Sequence, residues 1–404
     1  MYGARMTLAS RLTLAAGAVS GLIVIGCVSV SPAPSPSSVV PSAVASAAPT
    51  AALGTSPTTR PAPAVWRRIP FGAGNVGAVT AFGGGFVAVG GSERGAAVWT
   101  SADGSRWDRV LDQPAFQCGS TDPAEGCLMK AVAARTGDLV AVGVGPGPGG
   151  GGGRTWHSKD GRTWQLNPQH PDLVGTEFQA LIAGGPGFVA VDGRRVWATR
   201  DGVTWMVTAS SFPEGAWLQA ITTRASDVVI VGSISDPSAG SNKRRPAAWS
   251  SADGSTWRAS APIAEEDDSY MNLVASGAEG LAAFGYRGTS AAVWISRDAI
   301  VWSPTPDMPA FDQQLAAGNQ VQMSATSFGF VIVGASAQPG PPPLVCSSPT
   351  VWISGDGRTW TKHQLEPACS GIVGGVAEGA DGLVLVGFVS EPAQRGPAVW
   401  ISGR

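Results

Sequence analysis

The sequence predicts an all-β protein, a seven-bladed β-propeller of four-stranded antiparallel blades in which an N-terminal strand completes the last blade. A tryptophan-centred segment occurs seven times, at intervals of 41 to 58 residues. Runs of β-branched and small apolar residues precede the copies, and glycine turns separate them. The last copy stops early, and a segment resembling its missing strand stands before the first copy. Repeats of this length and composition are typical of propellers.

The repeated segment, here called the tryptophan box, reads approximately Trp-x-Ser-x-Asp-Gly-x-x-Trp. An aspartate at a hairpin turn accepts hydrogen bonds from turn amides, and the glycine adopts the positive φ that the reversal requires. One acid per copy supplies too few oxygens for calcium, and acids scattered one per blade cannot form one catalytic centre. We therefore predict a structural role for the six box aspartates, which are Asp103, Asp160, Asp201, Asp253, Asp298 and Asp356.

Each repeat predicts four strands. An alternating segment is followed by a turn and an apolar run such as residues 86–90, then by the tryptophan strand and a last short strand beginning at the second tryptophan. Continuous apolar runs suit strands that are covered on both faces. The seventh repeat ends after its third strand at Ser402, and residues 66–69 match a fourth strand. Pairing these two ends would complete a seventh blade and leave no open sheet edge.

The sequence before the repeats divides into a predicted lipoprotein signal, residues 1–26, and a Ser/Pro/Ala-rich tether, residues 27–63, ahead of the propeller at 64–404. Arg5 and Arg11 precede a short apolar run ending in Val24-Ile25-Gly26-Cys27, a pattern typical of export signals. The last four residues resemble the bacterial lipobox, which implies acylation of Cys27. A plain secretory signal or an uncleaved anchor is the alternative. We predict anchoring to the outer face of a bacterial cell membrane.

Composition limits the partners. The formal net charge is −2, which argues against nucleic acid, because phosphate binding favours a strongly basic face. An exported chain can form disulfides, and besides Cys27 it has four cysteines that permit three pairings. We favour Cys118 with Cys127 and Cys346 with Cys369. Zinc is the rival interpretation, but the histidines show no ligand spacing with these cysteines. We predict a monomer without metal or cofactor.

The box resembles the Asp-box, or BNR repeat, of sialidases, some glucanases, sortilin-type receptors and photosystem II assembly propellers, over nearly all of residues 64–404. In those families one residue separates the aspartate from the glycine, whereas Asp103 and Gly104 are adjacent here. A tighter turn is therefore expected. The resemblance also implies that the box lies on the face opposite the ligand.

Candidate ligand contacts then come from the loops on the other face. Trp217 is the one tryptophan that the repeat does not require, and Tyr270 follows a variable loop; packing accounts for either equally well. One equivalent position near the start of successive inner strands carries a polar residue that suits either a sugar or peptide ligand or a water-filled channel: Lys130, Gln179, Gln219 and Asn272.

Arginines recur in the loops between the second and third strands, among them Arg94, Arg154 and Arg244. They suit either a rim for anionic glycans or solvated ion pairs with acids such as Asp268.

A sialidase would need an arginine triad, a tyrosine with a glutamate, and an acid–base aspartate. Arg68-Ile69-Pro70 is similar to the family's RIP element, but the repeat places Arg68 in an outer strand. The resembling sialidases also have six blades. We therefore predict a surface-tethered, non-enzymatic propeller that binds an extracellular glycan, peptide or protein. A glycoside hydrolase and an assembly factor for an envelope protein complex are the alternatives.

Overall fold

The computed structural model describes residues 60–63, 65–118, 126–147, 151–185, 187–235, 243–263, 267–306, 308, 310–311, 320–339, 345–391 and 395–403. The predicted signal, Cys27 and all but the last four residues of the predicted tether lie outside this part of the chain. No helix among the described residues has both the length and the apolar character needed to cross a membrane.

The described chain forms seven four-stranded antiparallel sheets, which confirms the predicted seven-bladed propeller. Blades 1 to 3 consist of β2 (Asn75–Phe82), β3 (Gly85–Ser92), β4 (Gly95–Ser101) and β5 (Asp108–Arg109); β6 (Leu128–Arg135), β7 (Asp138–Gly145), β8 (Gly152–Ser158) and β9 (Trp164–Leu166); and β10 (Ala180–Gly184), β11 (Gly187–Val191), β12 (Val196–Thr199) and β13 (Met206–Ala209).

Blades 4 to 6 consist of β14 (Ala216–Arg224), β15 (Asp227–Ser235), β16 (Arg244–Ser251) and β17 (Arg258–Ala259); β18 (Ser269–Gly277), β19 (Gly280–Arg287), β20 (Ser290–Ser296) and β21 (Ser303–Pro304); and β22 (Gln320–Thr326), β23 (Gly329–Pro339), β24 (Val345–Ser354) and β25 (Thr361–Gln364). Blade 7 contains β26 (Gly371–Gly379), β27 (Gly382–Val389), β28 (Gly396–Ser402) and β1 (Trp66–Pro70). Two 3-10 helices, Pro114–Phe116 and Pro171–Leu173, lie in blade-joining loops.

The ring closes as the sequence predicts. Strand β1 pairs antiparallel with β28, in a register that runs from Trp66 opposite Ser402 to Pro70 opposite Ala398. Blade 7 thus takes its outer strand from the start of the propeller and its other three from the end. This pairing removes the open edge that an unpaired β28 would present to other chains.

The core lies between blades. All five residues of β11 are buried, which is why its sequence is continuously apolar rather than alternating. The first tryptophan of each box is also buried, and six of the seven are at most 1% exposed. Apolar clusters extend across neighbouring blades, as where Val87 and Val89 of blade 1 pack with Leu139 and Ala141 of blade 2.

In four of the six complete boxes the glycine of the turn also contacts the blade before it. Gly161 has a φ of +72°, and a methyl group on its Cα would lie 2.8 Å from Cγ2 of Val87 in the preceding blade. Gly202 and Gly357 approach the second strand of their preceding blades in the same way, next to Val140 and Ala282. Glycine suits the position for two reasons, the backbone angle and the close approach, and blade 5 alone among the complete boxes has an alanine there, Ala299.

One strand boundary was predicted wrongly. The fourth strand begins at the second box tryptophan only in blade 2, and it begins one residue later in blades 1 and 3 to 6. In several boxes this tryptophan belongs to the turn instead. The indole of Trp107 donates to the carbonyl of Gly104 at 2.8 Å, and Trp302 and Ala299 make the same bond at 3.2 Å.

Replacing Gly161 with alanine should destabilise the protein more than replacing Gly137. Both have positive φ, +72° and +73°, but a methyl group at Gly137 would meet nothing within 4 Å. Gly137→Ala should cost about 1 kcal/mol for the left-handed backbone. Gly161→Ala should cost a further 1 to 3 kcal/mol, roughly, for the contact with Val87. Urea unfolding measures both, and equal losses would contradict the interblade contact.

Candidate functional site

The box aspartates lie on one face of the propeller, here called the box face, where their carboxylates are bonded to their own turns. Oδ1 of Asp253 accepts hydrogen bonds from the amides of Ser255 and Thr256, both at 2.7 Å, and from the hydroxyl of Ser251 at 3.0 Å. The other boxes repeat this arrangement closely.

These hydrogen bonds lower the pKa of all six box aspartates. The amide of Thr204 has the largest effect at Asp201 and helps to lower the pKa of that carboxyl to about 2. Partial burial opposes the shift at Asp160 and Asp356, but the turn amides outweigh it. The carboxylates therefore remain ionised at neutral pH and serve as acceptors within the turn.

The opposite face, here called the loop face, carries the blade-joining loops and the loops between second and third strands. The phenylalanines of the blade-joining loops are packed rather than presented to solvent. Phe311 is 4% exposed and stacks on Trp352, with ring centroids 5.2 Å apart. Four of these rings each contact both tryptophans of one box, and they are Phe71, Phe178, Phe212 and Phe311.

Trp217 lies on the loop face at the start of β14 and is 39% exposed. Its indole covers Gly193 of the preceding blade, where a methyl group would lie 2.7 Å from Cζ2. Its indole N–H donates to Oε1 of Gln219 at 3.0 Å. The ring is therefore fixed by packing on one side and by a hydrogen bond at its edge, and the remainder is available to a ligand.

Tyr270 occupies the equivalent place in the next blade, but it is covered. The guanidinium of Arg244 lies 3.6 Å from its ring centroid. Nε and Nη2 of Arg244 donate to the carboxylate of Asp268 at 3.1 and 2.6 Å, and the hydrogen bond from Arg244 holds the pKa of Asp268 below its usual value. Tyr286 lies beneath, 5.6 Å from Tyr270, and burial raises its pKa to about 12.

The four polar residues predicted at one equivalent position do occupy it, and the position is a β-bulge. The strand register shifts at Lys130, Gln219 and Asn272, and the amide of Gln179 makes the corresponding bond to Val191 at 2.7 Å. The bulge recurs at three other residues, Gly77, Val321 and Gly374. The polar groups therefore do not form a complete ring, and Lys130 is ion-paired with Glu177.

Two neighbouring cavities form a groove on the loop face over blades 1 to 3, which no sequence pattern predicts. One cavity of about 750 Å³ lies between blades 1 and 2, and another of about 620 Å³ lies between blades 2 and 3. Gly126 lines both. Much of the remaining lining is glycine, which exposes peptide groups to a ligand: Gly74, Gly91, Gly145, Gly147, Gly151, Gly152 and Gly175.

A disulfide joins Cys118 to Cys127 as predicted, and it lies directly beside this groove, because a methyl group on Gly145 would fall 2.5 Å from Sγ of Cys127. Cys369 is also disulfide-bonded. The side chain of Cys346 lies outside the described residues, so the pairing of Cys346 with Cys369 stays a prediction. Within the described ranges, no three His, Cys, Asp or Glu side chains are grouped as metal ligands would be.

Several rim arginines are paired with acids. Arg94 contacts Asp112 at 3.5 Å, and Arg195 contacts Asp192 at 2.8 Å. Arg68 lies on the outer strand β1, as predicted, where it approaches Glu391 at 3.9 Å.

Comparison with known proteins agrees with this architecture. A family model described as the DUF6242 beta propeller domain matches residues 150–366, which is more than half of the chain. No curated protein matches it.

Similar solved structures include a glycosyl hydrolase from Bacteroides ovatus, at 12% identity and a TM-score of 0.33 over 67% of this chain and 82% of that one. A sialidase from Trypanosoma rangeli is also 12% identical, with a TM-score of 0.44 over 81% of this chain and 53% of its own. Likenesses of this strength carry no inference about activity.

The stability of the protein should fall as the pH is lowered from about 5 to 2. The pKa of Asp201 is about 2 in the folded protein and 3.8 without the turn, so the unfolded chain binds more protons over this range. Asp201→Asn should lower the unfolding free energy at pH 7 and weaken its pH dependence. The variant and wild-type curves, measured by urea unfolding, should converge near pH 2. A constant offset at every pH would contradict this interpretation.

Proposed function

We propose, from the premise that the chain belongs to the DUF6242 β-propeller family, that it binds an extracellular glycan on its loop face. The proposal depends on one contrast between the two faces. On the box face the recurrent carboxylates are bonded within their own turns, as is the second indole of four boxes. On the loop face a glycine-lined groove and the partly exposed ring of Trp217 remain accessible.

A polyhydroxylated ligand fits this chemistry. A sugar ring offers an apolar C–H face for an aromatic ring and hydroxyl groups for peptide carbonyls and amides. Trp217 supplies such a ring, held in place by Gln219 and Gly193. It lies on blade 4, beside the groove over blades 1 to 3 that supplies the peptide groups. Ligand sites commonly combine an aromatic surface with a few fixed polar groups in this way. A peptide lying in the same groove is the competing outcome of the test below.

The start of the described chain lies against the box face. The amide of Arg60 donates to the carbonyl of Ser327 at 2.9 Å, and its guanidinium lies 4.5 Å from the ring centroid of Phe328. Ser327 and Phe328 form the β22–β23 turn, which lies on the box face. We further propose that Cys27 carries a lipid anchor and that the tryptophan box is a variant of the Asp-box.

A hydrolase is supported less well. Asp268 and Tyr270 are an acid and a tyrosine at the start of blade 5, the blade that follows Trp217, and both are engaged by Arg244. A general acid must hold a proton near neutral pH, whereas Arg244 lowers the pKa of Asp268. In this arrangement Asp268 holds Arg244 in place over the ring of Tyr270.

Trp217→Ala should weaken glycan binding by about tenfold or more while the fold is retained, as expected for the loss of a central aromatic contact. The compact unit Thr55–Arg404 would be screened on a glycan array, and the affinity for each hit measured by calorimetry. Val301→Ala is the matched control, because Val301 is a 57% exposed apolar residue on the box face. Peptide capture without glycan capture, or turnover of fluorogenic glycosides that Asp268→Ala abolishes, would replace this proposal.

Cys27→Ala should release the protein from the membrane without changing ligand affinity. The proposed anchor is an acyl group on the sulfur of Cys27, and the substitution removes that sulfur. Membrane and soluble fractions of expressing cells, with labelled palmitate as a tracer, measure the effect. Retention of the variant in the membrane fraction would favour an uncleaved anchor instead.

A further inference from the structure

Arg154 is a buried arginine without a partner for most of its guanidinium. The residue lies on β8 of blade 2 and is 5% exposed. Its Nε and Nη1 atoms are both buried and have no hydrogen-bond partner. It forms no ion pair with the described acids, in contrast with Arg94, Arg195 and Arg244 on the same face. Burial lowers its pKa, but an arginine still keeps its charge at neutral pH.

A buried cation without a counter-charge carries a large free-energy cost. A protein retains such a group when something outside the chain compensates the charge. Guanidinium groups are the preferred donors to carboxylate, sulfate and phosphate oxygens, because their planar N–H groups match two oxygens at once.

The surroundings of Arg154 suit an oxyanion. A methyl group on Gly147 would lie 2.8 Å from Nη1 of Arg154 and 1.9 Å from Oε1 of Gln169, so both side chains meet directly under this glycine. Gly147 also lines the 620 Å³ cavity of the groove. Oε1 of Gln169 has no partner either, and Nε2 makes only a long contact, 3.4 Å, with the carbonyl of Gly153. Rotating this amide by half a turn would place two more N–H donors beside Arg154.

We propose that Arg154 and Gln169 form a seat for an oxyanion group of the ligand, reached from the groove past Gly147. The inference rests on the proposed function, and it adds that the bound glycan is acidic, with a carboxylate or sulfate group seated in blade 2. Glu177 lines the same cavity, but its charge is held by Lys130. The seat therefore adds an unpaired buried charge to a groove whose other lining arginines, Arg94 and Arg109, are paired with Asp112.

The first test compares the thermal stability of the purified protein with that of Arg154→Met and Arg94→Met. Arg94 is the matched control within the same groove, because it lines the neighbouring 750 Å³ cavity but its side chain is 79% exposed and paired with Asp112. In chloride buffer Arg154→Met should melt at a temperature equal to or above that of the wild type, because it removes an uncompensated buried charge. Sodium sulfate at matched ionic strength should raise the melting temperature of the wild type and Arg94→Met by more than that of Arg154→Met. The general salting effect of sulfate is common to all three.

A direct test follows the Nε–Hε signal of Arg154 by NMR during titration with sulfate, and then with a sulfated and a uronic-acid oligosaccharide. Saturable shifts are expected in the wild type, with at least tenfold tighter binding of an oligosaccharide than of sulfate if the anion belongs to a glycan. Equal affinities would assign the seat to a free inorganic anion. Gly147→Ala keeps the arginine but fills the space beneath the groove, so it should abolish the shifts even if Arg154→Met does not fold.

The inference is overturned if Arg154→Met is less stable than the wild type in chloride and both gain equally from sulfate. That outcome would mean that the guanidinium is compensated within the protein. Failure of the seat and failure of the proposed function are distinguishable. If neutral glycans bind in a way that depends on Trp217 and sulfate has no effect, only the proposal of the oxyanion seat is contradicted. If sulfate stabilises the protein through Arg154 and no glycan binds, only the proposed function is contradicted.

Discussion

Four of the six complete tryptophan boxes place the glycine of their turn against the second strand of the preceding blade, and the close packing of the ring follows from this contact. In blade 2 the glycine of the turn meets Val87 of blade 1, and in blade 1 Gly104 meets Val384 of blade 7. The contact therefore continues across the point where the two ends of the described propeller meet, alongside the pairing of β1 with β28. Because the turn has no side chain there, neighbouring blades approach closely enough to bury the intervening tryptophans.

This constraint divides the molecule into two faces with different freedom. On the box face each carboxylate is bonded within its turn, and the turns pack against the preceding blade, so a change there alters the scaffold. Among the complete boxes, only that of blade 5 has a residue other than glycine after the aspartate. This residue is Ala299, which has a φ of +63° and is 3% exposed. On the loop face the blade-joining loops differ in length and composition, because only their phenylalanines or equivalent apolar groups must reach the core. The groove and Arg154 lie in this freer part.

The fold could be predicted from the sequence to the level of individual strands. The repeat fixed the number of blades, and the incomplete last copy together with residues 66–69 fixed the closure. The boundary of the fourth strand was missed by one residue in most blades, because the second tryptophan folds back onto its own turn. The equivalence of Lys130, Gln219 and Asn272 was also predicted, but not that this position is a β-bulge. Glycines at the same aligned position, Gly77 and Gly374, were the signal that could have indicated it.

The sequence by itself determined the architecture, because a local pattern repeated seven times has few ways to bury its apolar strands. It also determined that Trp217 stands outside the pattern. Only the tertiary structure decided which polar groups are compensated. Arg244 has Asp268 as its partner, whereas Arg154 has none among the described residues, although both lie on the third strand of their blades. Ion pairing and cavity shape depend on side chains that are distant in sequence, and the spacing of residues along the chain does not encode those distances.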